Sequence, residues 1–192
     1  MAVFKIERVI VTGGREFTDN ARIHEDLRDL HDRGCRRVAE GRCHKGGADL
    51  LAQQAWLHIT GEETIGYPVE HAKDGPWPAA GNRRNVRMLR EEMRLGHVDL
   101  VLAYPDPKSS GTWACISEAL CLALPVMLWA PGMEPTKIIT TVRERWAGAS
   151  FLMTEPRQAV KCHRLLVSQA GDPERAAKHM GDLIDSLTWW PV

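Results

Sequence analysis

The chain has no excess of charge of either sign, and this balance argues against some partners. Its 192 residues contain 25 Lys and Arg against 25 Asp and Glu, so the formal net charge is zero. Sequence-independent binding of nucleic acid relies on many cationic contacts with phosphates. The composition therefore argues against nucleic acid as a partner, although it leaves room for a local basic cluster at a small anionic ligand.

Long hydrophobic runs are also missing. The most apolar stretch, Ala114–Ala130, is interrupted by Ser117, Glu118 and Pro125, so it falls short of a membrane-spanning segment. The N-terminal residues lead directly into a strand pattern and lack the long apolar core and cleavage site of a signal peptide. We therefore expect a cytoplasmic protein with no membrane partner.

The chain has five cysteines, which is an odd number, and they are scattered along the sequence. No pair of them has the spacing of metal ligands. An intracellular chain with such a set is expected to keep free thiols. The one local pair of Cys and His, Cys43-His44, is interpreted as part of a loop. We expect neither a metal ion nor a cofactor.

The common nucleotide fingerprints are absent as well. The first glycine-rich turn reads VTGGRE over Val11–Glu16 in place of G-x-G-x-x-G, and no G-x-x-x-x-G-K-[ST] occurs. A standard dinucleotide-binding or nucleoside-triphosphatase site is therefore disfavoured.

What the chain does have is best seen in VDLVLAYPDPKSSGT, Val98–Thr112. Its apolar first half suits a strand that is buried on both faces, and the prolines Pro105 and Pro107 end that strand. The small residues that follow lead into an apolar helix over Trp113–Leu124. In open α/β sheets this arrangement binds phosphate, because free backbone N–H groups and the helix dipole point at one spot.

Strand and helix patterns alternate along the rest of the chain. Alternation on short connections predicts a parallel sheet with right-handed crossovers and helices on both faces, which is a Rossmann-like α/β fold. The predicted strands are Glu7–Thr12, Arg36–Glu40, Glu63–Tyr67, Val98–Tyr104 and Pro125–Trp129. The predicted helices are one that is capped by Thr18 or Asp19 and runs to about Arg33, followed by Ala48–Ile59, Asn82–Gly96 and Trp113–Leu124.

Two further segments complete the organisation. We interpret 69–81 as a loop that forms a lid or ligand wall, in which Trp77 either stacks on a base or packs internally. We assign residues 1–132 to the Rossmann-like domain and 133–192 to a mostly helical extension packed on it. The extension is predicted to contain helices at Thr136–Trp146, Glu155–Gln169 and Pro173–Leu187 and an edge strand at Ser150–Met153.

Three predicted strand ends carry glycine-containing turns. In a parallel sheet these turns lie at one carboxyl edge, so they are expected to converge on an anionic ligand. Arg15 follows the first turn and can reach an anion. The turns are Gly13-Gly14-Arg15, the loop with Gly41, Gly46 and Gly47, and Ser110-Gly111-Thr112.

Several of these motifs together resemble the SLOG superfamily, and in particular its YpsA-related branch of phage and bacterial proteins. The resemblance covers about Val9–Val126 and rests on VTGGRE, GGADLLA, YP, AGNRRNVRML, DLVLAYP and SGT in this order. The superfamily includes the Lonely-guy phosphoribohydrolases and the DNA-processing protein A domain. It implies a Rossmann-like sheet, a bound nucleotide or nucleotide-derived ligand, and a homodimer.

The resemblance also assigns roles to residues. It places Gly13 and Gly14 at the floor of the site and Arg84 and Asn85 against the substrate. The phosphate would be held by Ser109, Ser110, Gly111 and Thr112.

One departure from the family pattern bears on catalysis. Lonely-guy enzymes read PGGxGTxxE, and their glutamate supports departure of the base; the matching position here is Cys115, and Ala114 precedes it. Neither side chain stabilises an oxocarbenium-like centre as a carboxylate does. Glu40, Asp106 and Glu118 are the acids that could replace it, whereas Asp49 is interpreted as a helix-capping or dipole residue.

We therefore expect a protein that binds a phosphoribosyl or ADP-ribose-like ligand as a sensor or sequestering protein. The alternative is an N-glycosidase of nucleoside 5′-monophosphates that uses Arg84 with Glu40 or Glu118. Single-stranded nucleic-acid binding is a weaker third possibility. The helix Trp113–Leu124 is apolar nearly all round, so we expect it to be buried under the C-terminal helices or in a dimer interface, to which Trp189-Trp190 would add.

Overall fold

The structure is a computed structural model. It describes residues 6–43, 45–105 and 109–129 in full, together with the backbone of two short strands at 151–153 and 188–189.

Five parallel strands form the main sheet: β1 (Arg8–Gly13), β2 (Arg37–Glu40), β3 (Ile65–Gly66), β4 (Leu100–Tyr104) and β5 (Val126–Leu128). Their order across the sheet is β3-β2-β1-β4-β5, and all four pairings are parallel. This confirms the predicted Rossmann-like α/β fold. The third strand is shorter than the Glu63–Tyr67 expected from the sequence.

The helices are α1 (Asn20–Asp32), α2 (Ala48–Thr60), α3 (His71–Asp74), α4 (Ala80–Leu95) and α5 (Ser110–Cys121). α1 packs against α2, and α4 packs against α5. β4 is buried along its whole length, and its alternate residues enter two different cores. Leu102 joins the core with α1 and α2, and Val101 joins the core with α4 and α5, as the alternation of side chains in a strand requires.

This topology has a switch point between β1 and β4. The two strands are neighbours, but α1, which follows β1, and α5, which follows β4, lie on opposite faces of the sheet. A crevice opens at the carboxyl ends of two such strands, and ligands of open α/β sheets bind there.

The C-terminal part of the chain extends the same sheet. β6 (Phe151–Met153) runs antiparallel to β5, and β7 (Thr188–Trp189) runs antiparallel to β6. The predicted strand at Ser150–Met153 is therefore present, although β7 and not β6 is at the edge. Trp189, expected in a dimer interface, has its backbone in this edge strand. The three predicted C-terminal helices lie outside the described residues.

Two boundaries differ from the sequence prediction. α5 begins at Ser110 and not at Trp113, because the Ser109 carbonyl accepts hydrogen bonds from the N–H groups of Thr112 and Trp113 at 3.0 and 3.1 Å. The small residues interpreted as a turn are thus the first turn of the helix. The predicted loop at 69–81 contains α3 and the start of α4.

Within the single chain α5 is not buried on all sides, and its burial in a dimer interface stays a prediction. Ala114, Ser117 and Glu118 are only partly buried and Cys121 is exposed. Their spacing places them on one stripe of the helix, while Trp113, Cys115 and the remaining apolar residues face the core. None of the helices in the described part of the chain is long and apolar enough to cross a membrane.

Candidate functional site

A polar pocket of about 300 Å³ opens at the switch point, where the carboxyl ends of β1 and β4 meet the N-terminal turns of α2, α4 and α5. Its volume is at the lower end of the range for small-molecule sites. The residues that line it are Thr12, Gly13, Arg15, Glu16, Cys43, Gly46, Asp49, Trp77, Pro78, Gly81, Asn82, Arg84, Asn85, Ser109, Ser110, Gly111 and Thr112.

The glycine-rich turns converge as the sequence predicts. The Gly14 N–H donates to the Tyr104 carbonyl at 2.9 Å, and the Ala48 N–H donates to the Gly14 carbonyl at 3.2 Å. These bonds join the end of β1 to the end of β4 and to the start of α2. Gly14 therefore joins these loops. It does not line the pocket, although the SLOG resemblance implies a place for it at the floor of the site.

Two glycines are required by this close approach. A Cβ atom on Gly13 would overlap the Cβ of Ala48, and one on Gly47 would overlap the Gly14 carbonyl. Gly47 also has a φ of +79°, a conformation that residues with side chains rarely adopt. Gly47 is thus a packing residue outside the pocket lining, whereas Gly13 and Gly46 both line it.

The first turn of α5 presents donors to the pocket. Among the described residues, the N–H groups of Ser110 and Gly111 donate no backbone hydrogen bond, as expected at a helix N-terminus. Asn85 donates from Nδ2 to the Gly111 carbonyl at 3.1 Å, so α4 fixes the position of this turn. Free N–H groups at the positive end of a helix dipole form a ready site for an anion.

Arg84 provides a buried cation in the wall of the same pocket. The residue is only 9% exposed, and its Nη1 donates to the Tyr67 carbonyl at 3.0 Å. Gly41 makes room for it, since a Cβ atom there would overlap the guanidinium group. Among the described residues Arg84 Nε has no hydrogen-bond partner. A buried guanidinium of this kind favours an anion beside it.

Asp49 is the buried acid of the pocket, whose other lining acid, Glu16, is exposed. It lies in the first turn of α2, is 7% exposed, and has its Oδ2 3.8 Å from Arg84 Nη1. Burial raises the pKa of this carboxyl to about 6, although Arg84 and a backbone hydrogen bond from Cys43 oppose the rise. The sequence interpretation as a capping residue therefore missed its place in the pocket. The position of Asp49 directly after the Gly46-Gly47 turn was the available signal.

Of the acids that the sequence singled out, Glu40 and Glu118 lie elsewhere, and Asp106 lies outside the described residues. Glu40 is buried and does not line the pocket. It accepts a hydrogen bond from the Thr64 hydroxyl at 3.0 Å and another from the Arg42 N–H. Burial raises the pKa of Glu40. Glu118 is bound to Arg90 at 2.9 Å, on the partly exposed stripe of α5. Neither carboxylate lines the pocket in this arrangement.

Cys115, the position that the resemblance matches to the Lonely-guy glutamate, is fully buried in the core. Burial raises the pKa of its thiol to about 12. The thiol is therefore protonated at neutral pH and supplies no negative charge to a reacting centre.

One wall of the pocket comes from the segment between α3 and α4. Trp77 is 54% exposed at the rim, with its ring edge-on to His71 at 6.1 Å between ring centroids. This segment is anchored from α4, because Arg87 Nε donates to the Asp74 carboxylate at 2.9 Å and Arg83 donates to the Asp74 carbonyl. An exposed, anchored indole at a pocket rim favours the ligand-wall interpretation of Trp77 over internal packing.

Fold and site together define an α/β protein with a Rossmann-like sheet and a polar pocket at its switch point. No protein-family model matches the chain, and no solved structure matches it. The Gene 61 protein of Mycobacterium phage D29 is 30% identical over 128 residues, which cover 64% of this chain and 95% of that protein. The chain belongs to the same family as this phage protein.

Proposed function

We propose that the chain binds a nucleotide or nucleotide-derived ligand, of the phosphoribosyl or ADP-ribose-like class, as a sensor or sequestering protein. The observation that carries the proposal is one pocket that contains both the donor turn of α5 at Ser110-Gly111 and the buried guanidinium of Arg84. These two groups provide N–H donors and a positive charge on facing elements, which is what a phosphate requires.

The remaining walls suit the other parts of such a ligand. Trp77 offers an exposed aromatic face on which a base can stack. Asn82, Asn85 and Thr112 are polar side chains at the pocket surface, and they can bind the hydroxyl groups of a ribose. The resemblance to the SLOG superfamily supports the same ligand class, because the matching motifs supply the pocket residues Gly13, Arg84 and Gly111.

Thermal denaturation with added ligands tests the proposal. We expect AMP, ADP-ribose or NAD to raise the melting temperature, while inorganic phosphate alone raises it less. A ligand at a hundred times its Kd stabilises the folded state by about 2.7 kcal/mol, which corresponds to a rise of roughly 5–10 °C for a chain of this size. The absence of any rise with every nucleotide and ribose phosphate would contradict the proposal.

The matched variants are Arg84→Gln and Arg28→Gln. Both remove one positive charge, but Arg84 lines the pocket and Arg28 is exposed on α1. The rise in melting temperature on adding ligand should be lost in R84Q and kept in R28Q, whatever the stability of each variant without ligand.

A second function, N-glycosidase activity on nucleoside 5′-monophosphates, is favoured by the position of Asp49. A buried carboxyl group with a pKa of about 6 is protonated in part near neutral pH, so it can act as a general acid. In this reaction the C1′–N bond breaks, the base leaves with a proton from Asp49, and water adds to C1′ as its own proton passes to the carboxylate.

Release of free base from AMP tests this second function. Asp49→Asn should abolish the release and keep nucleotide binding, whereas E40Q and E118Q should retain activity, because neither carboxylate lines the pocket. Nucleotides that remain intact after long incubation with high protein concentrations would exclude the activity and leave the binding proposal in place.

We further propose from the SLOG resemblance that the chain is a homodimer. Light scattering during size-exclusion chromatography should give twice the 21.5 kDa of the single chain. A particle with the mass of one chain at high protein concentration would contradict this.

A further inference from the structure

A second cavity of about 590 Å³ adjoins the pocket. We refer to it as the outer compartment. Six residues line both spaces, so the two form one continuous cleft; these residues are Arg15, Cys43, Trp77, Pro78, Gly81 and Arg84. The outer compartment extends beyond them along Gly41, Arg42 and Lys45 on one side and Pro68, Val69 and His71 on the other.

The outer compartment is basic. Arg15, Arg42, Lys45 and Arg84 line it, and none of its lining residues is Asp or Glu. Among the described residues, neither Arg15 nor Lys45 has a carboxylate within 4 Å, and the carboxylate oxygens nearest to the Arg42 guanidinium lie at 3.7 and 3.9 Å. Within the described part of the chain, Arg15 and Lys45 therefore have no ion-pair partner, whereas Arg42 and Arg84 each lie within 4 Å of a carboxylate.

Arg42 is held in place by its surroundings. Its φ is +48°, which is uncommon for a residue with a side chain. Its N–H donates to Glu40, and its guanidinium crosses Gly66 at a point where a Cβ atom would overlap it. The fold thus fixes this cation at the wall of the cavity. The buried Glu40, which does not reach the ligand pocket, serves to hold the Arg42 backbone.

We propose that the outer compartment is a second anion subsite for the same ligand, so that the ligand is a nucleotide with more than one phosphate group. One phosphate lies at the α5 turn and Arg84, and another lies among Arg42, Lys45 and Arg15. Trp77, which lines both spaces, contacts the part of the ligand between them. This inference rests on the proposed nucleotide site, since a second phosphate has meaning only if the first is bound.

Calorimetric titration with a series of adenosine compounds tests the inference. AMP carries one phosphate group, ADP and ADP-ribose carry a second one in a 5′-diphosphate, and adenosine 3′,5′-bisphosphate carries its second one on the 3′ oxygen. The corresponding guanosine compounds repeat the series with another base. At least one two-phosphate compound should bind tenfold or more tightly than the monophosphate with the same base. This gain should shrink as salt is raised, because exposed charges are screened.

Lys45→Gln is the informative variant, because Lys45 is exposed and lines only the outer compartment. It should remove most of the gain from the second phosphate and leave the affinity for the monophosphate within about twofold. Arg28→Gln makes the same change of charge on an exposed part of α1 and should leave both affinities unchanged.

The outcomes separate this inference from the proposed function. If the monophosphate binds and no second phosphate improves affinity, the outer subsite is contradicted and the nucleotide site stands. If the gain persists in K45Q and in the double variant R42Q/K45Q, the second phosphate lies elsewhere and the inference is also contradicted. If no compound of either series binds, the proposed function fails and the inference fails with it.

Discussion

Asp49 and Arg84 illustrate how a single pair of residues sets the chemistry of the pocket. Both are buried, and their charged atoms are 3.8 Å apart. Burial penalises the ionised carboxylate more than Arg84 stabilises it, so the pKa of Asp49 rises to about 6. The buried groups of the pocket are therefore one fixed positive charge, on Arg84, and one carboxyl group, on Asp49, whose charge changes near neutral pH.

This raised pKa predicts a dependence of stability on pH. Between about pH 4 and pH 6 the folded protein keeps a proton on Asp49 that the unfolded chain has released, so the free energy of unfolding falls as pH rises through this window. The full effect of a shift of about two pKa units is roughly 3 kcal/mol. The Asp49→Asn variant has no buried carboxyl group to ionise. Its free energy of unfolding, relative to that of the native protein, should therefore increase as pH rises from 4 to 7.

Urea unfolding of both proteins at pH 4, 5, 6 and 7 measures the effect. Asp29→Asn provides the control, because Asp29 is exposed on α1 and pairs with Arg33. Its stability difference from the native protein should change little over this range. A difference for D49N that stays constant with pH would show that Asp49 ionises normally.

At the scale of elements, one buried carboxylate of α4 accepts hydrogen bonds from residues of the sheet strands and connects the helix to them. Glu92 is 1% exposed, accepts two hydrogen bonds from Arg37 at 2.8 Å and one from the Tyr67 hydroxyl at 2.7 Å, and also contacts Arg8 at 3.1 Å. These partners come from β1, β2 and the end of β3. α4 also carries the pocket residues Arg84 and Asn85. By fixing α4 on the sheet, this network therefore fixes the position of both residues, although Glu92 itself does not line the pocket.

Glu92→Gln should destabilise the protein by about 3–5 kcal/mol, because it leaves two arginines without their buried partner. The neighbouring variant Glu91→Gln removes the same charge from a side chain that is 38% exposed, and it should cost less than about 1 kcal/mol. Chemical denaturation of the two variants measures the contrast. Equal stabilities for E91Q and E92Q would contradict the proposed anchoring.

Glu92 also predicts a response to acid with the opposite sign to that of Asp49. Its hydrogen bonds to Arg37, Tyr67 and Arg8 outweigh burial and lower its pKa. A carboxylate with a lowered pKa contributes stability that is present above its unfolded value of about 4.3 and is lost as pH falls through the folded value. The E92Q variant should therefore lose less stability than the native protein when the pH is lowered from 5 to 3.

The burial of β4, the start of α5 and the partners of Glu92 differ in how well the sequence predicts them. The run Leu100–Tyr104 is apolar without alternation, and the structure buries it on both faces as this pattern predicts. The start of α5 was misplaced because Ser, Gly and Thr are common in turns and also fit the first turn of a helix. The partners of Glu92 could not be foreseen, since they are 55 and 84 residues away in the chain.

At the scale of the whole molecule, the zero net charge predicts weak attraction to long polyanions. We expect no binding of a single-stranded DNA oligonucleotide at about 0.15 M salt, where screening limits the reach of local basic patches to roughly 8 Å. Mobility-shift measurements at low and moderate salt check this. A shift that persists at moderate salt would instead indicate that the cleft accepts a nucleic-acid strand.

For the whole molecule, the sequence predicts the features that depend on local patterns and misses those that depend on packing between distant segments. The parallel sheet and the convergence of its glycine turns follow from local patterns and from a general rule of topology, so the sequence predicts both. The place of Asp49 in the pocket depends on how α2 packs against the β1 loop through Gly47. The glycines before Asp49 were a local signal, but the packing contact itself has no sequence pattern, so the sequence indicated Glu40 and Glu118 as the candidate acids. The strands β6 and β7 are too short for a pattern to reveal their pairing.

The central claim is that a phosphate binds at the first turn of α5, and substitutions of Ser110 test it most directly. Ser110 is exposed and begins the helix. An aspartate there suits the helix dipole by about 0.3–1 kcal/mol, so Ser110→Asp should fold normally while its carboxylate occupies the anion site. Ser110→Asn has nearly the same shape and no charge.

Calorimetry with AMP and ADP-ribose should give Ser110→Asn an affinity within a few fold of the native protein. Ser110→Asp should bind at least about tenfold more weakly, because two negative charges would share one site. Equal affinities for the two variants would place the phosphate elsewhere and contradict the account.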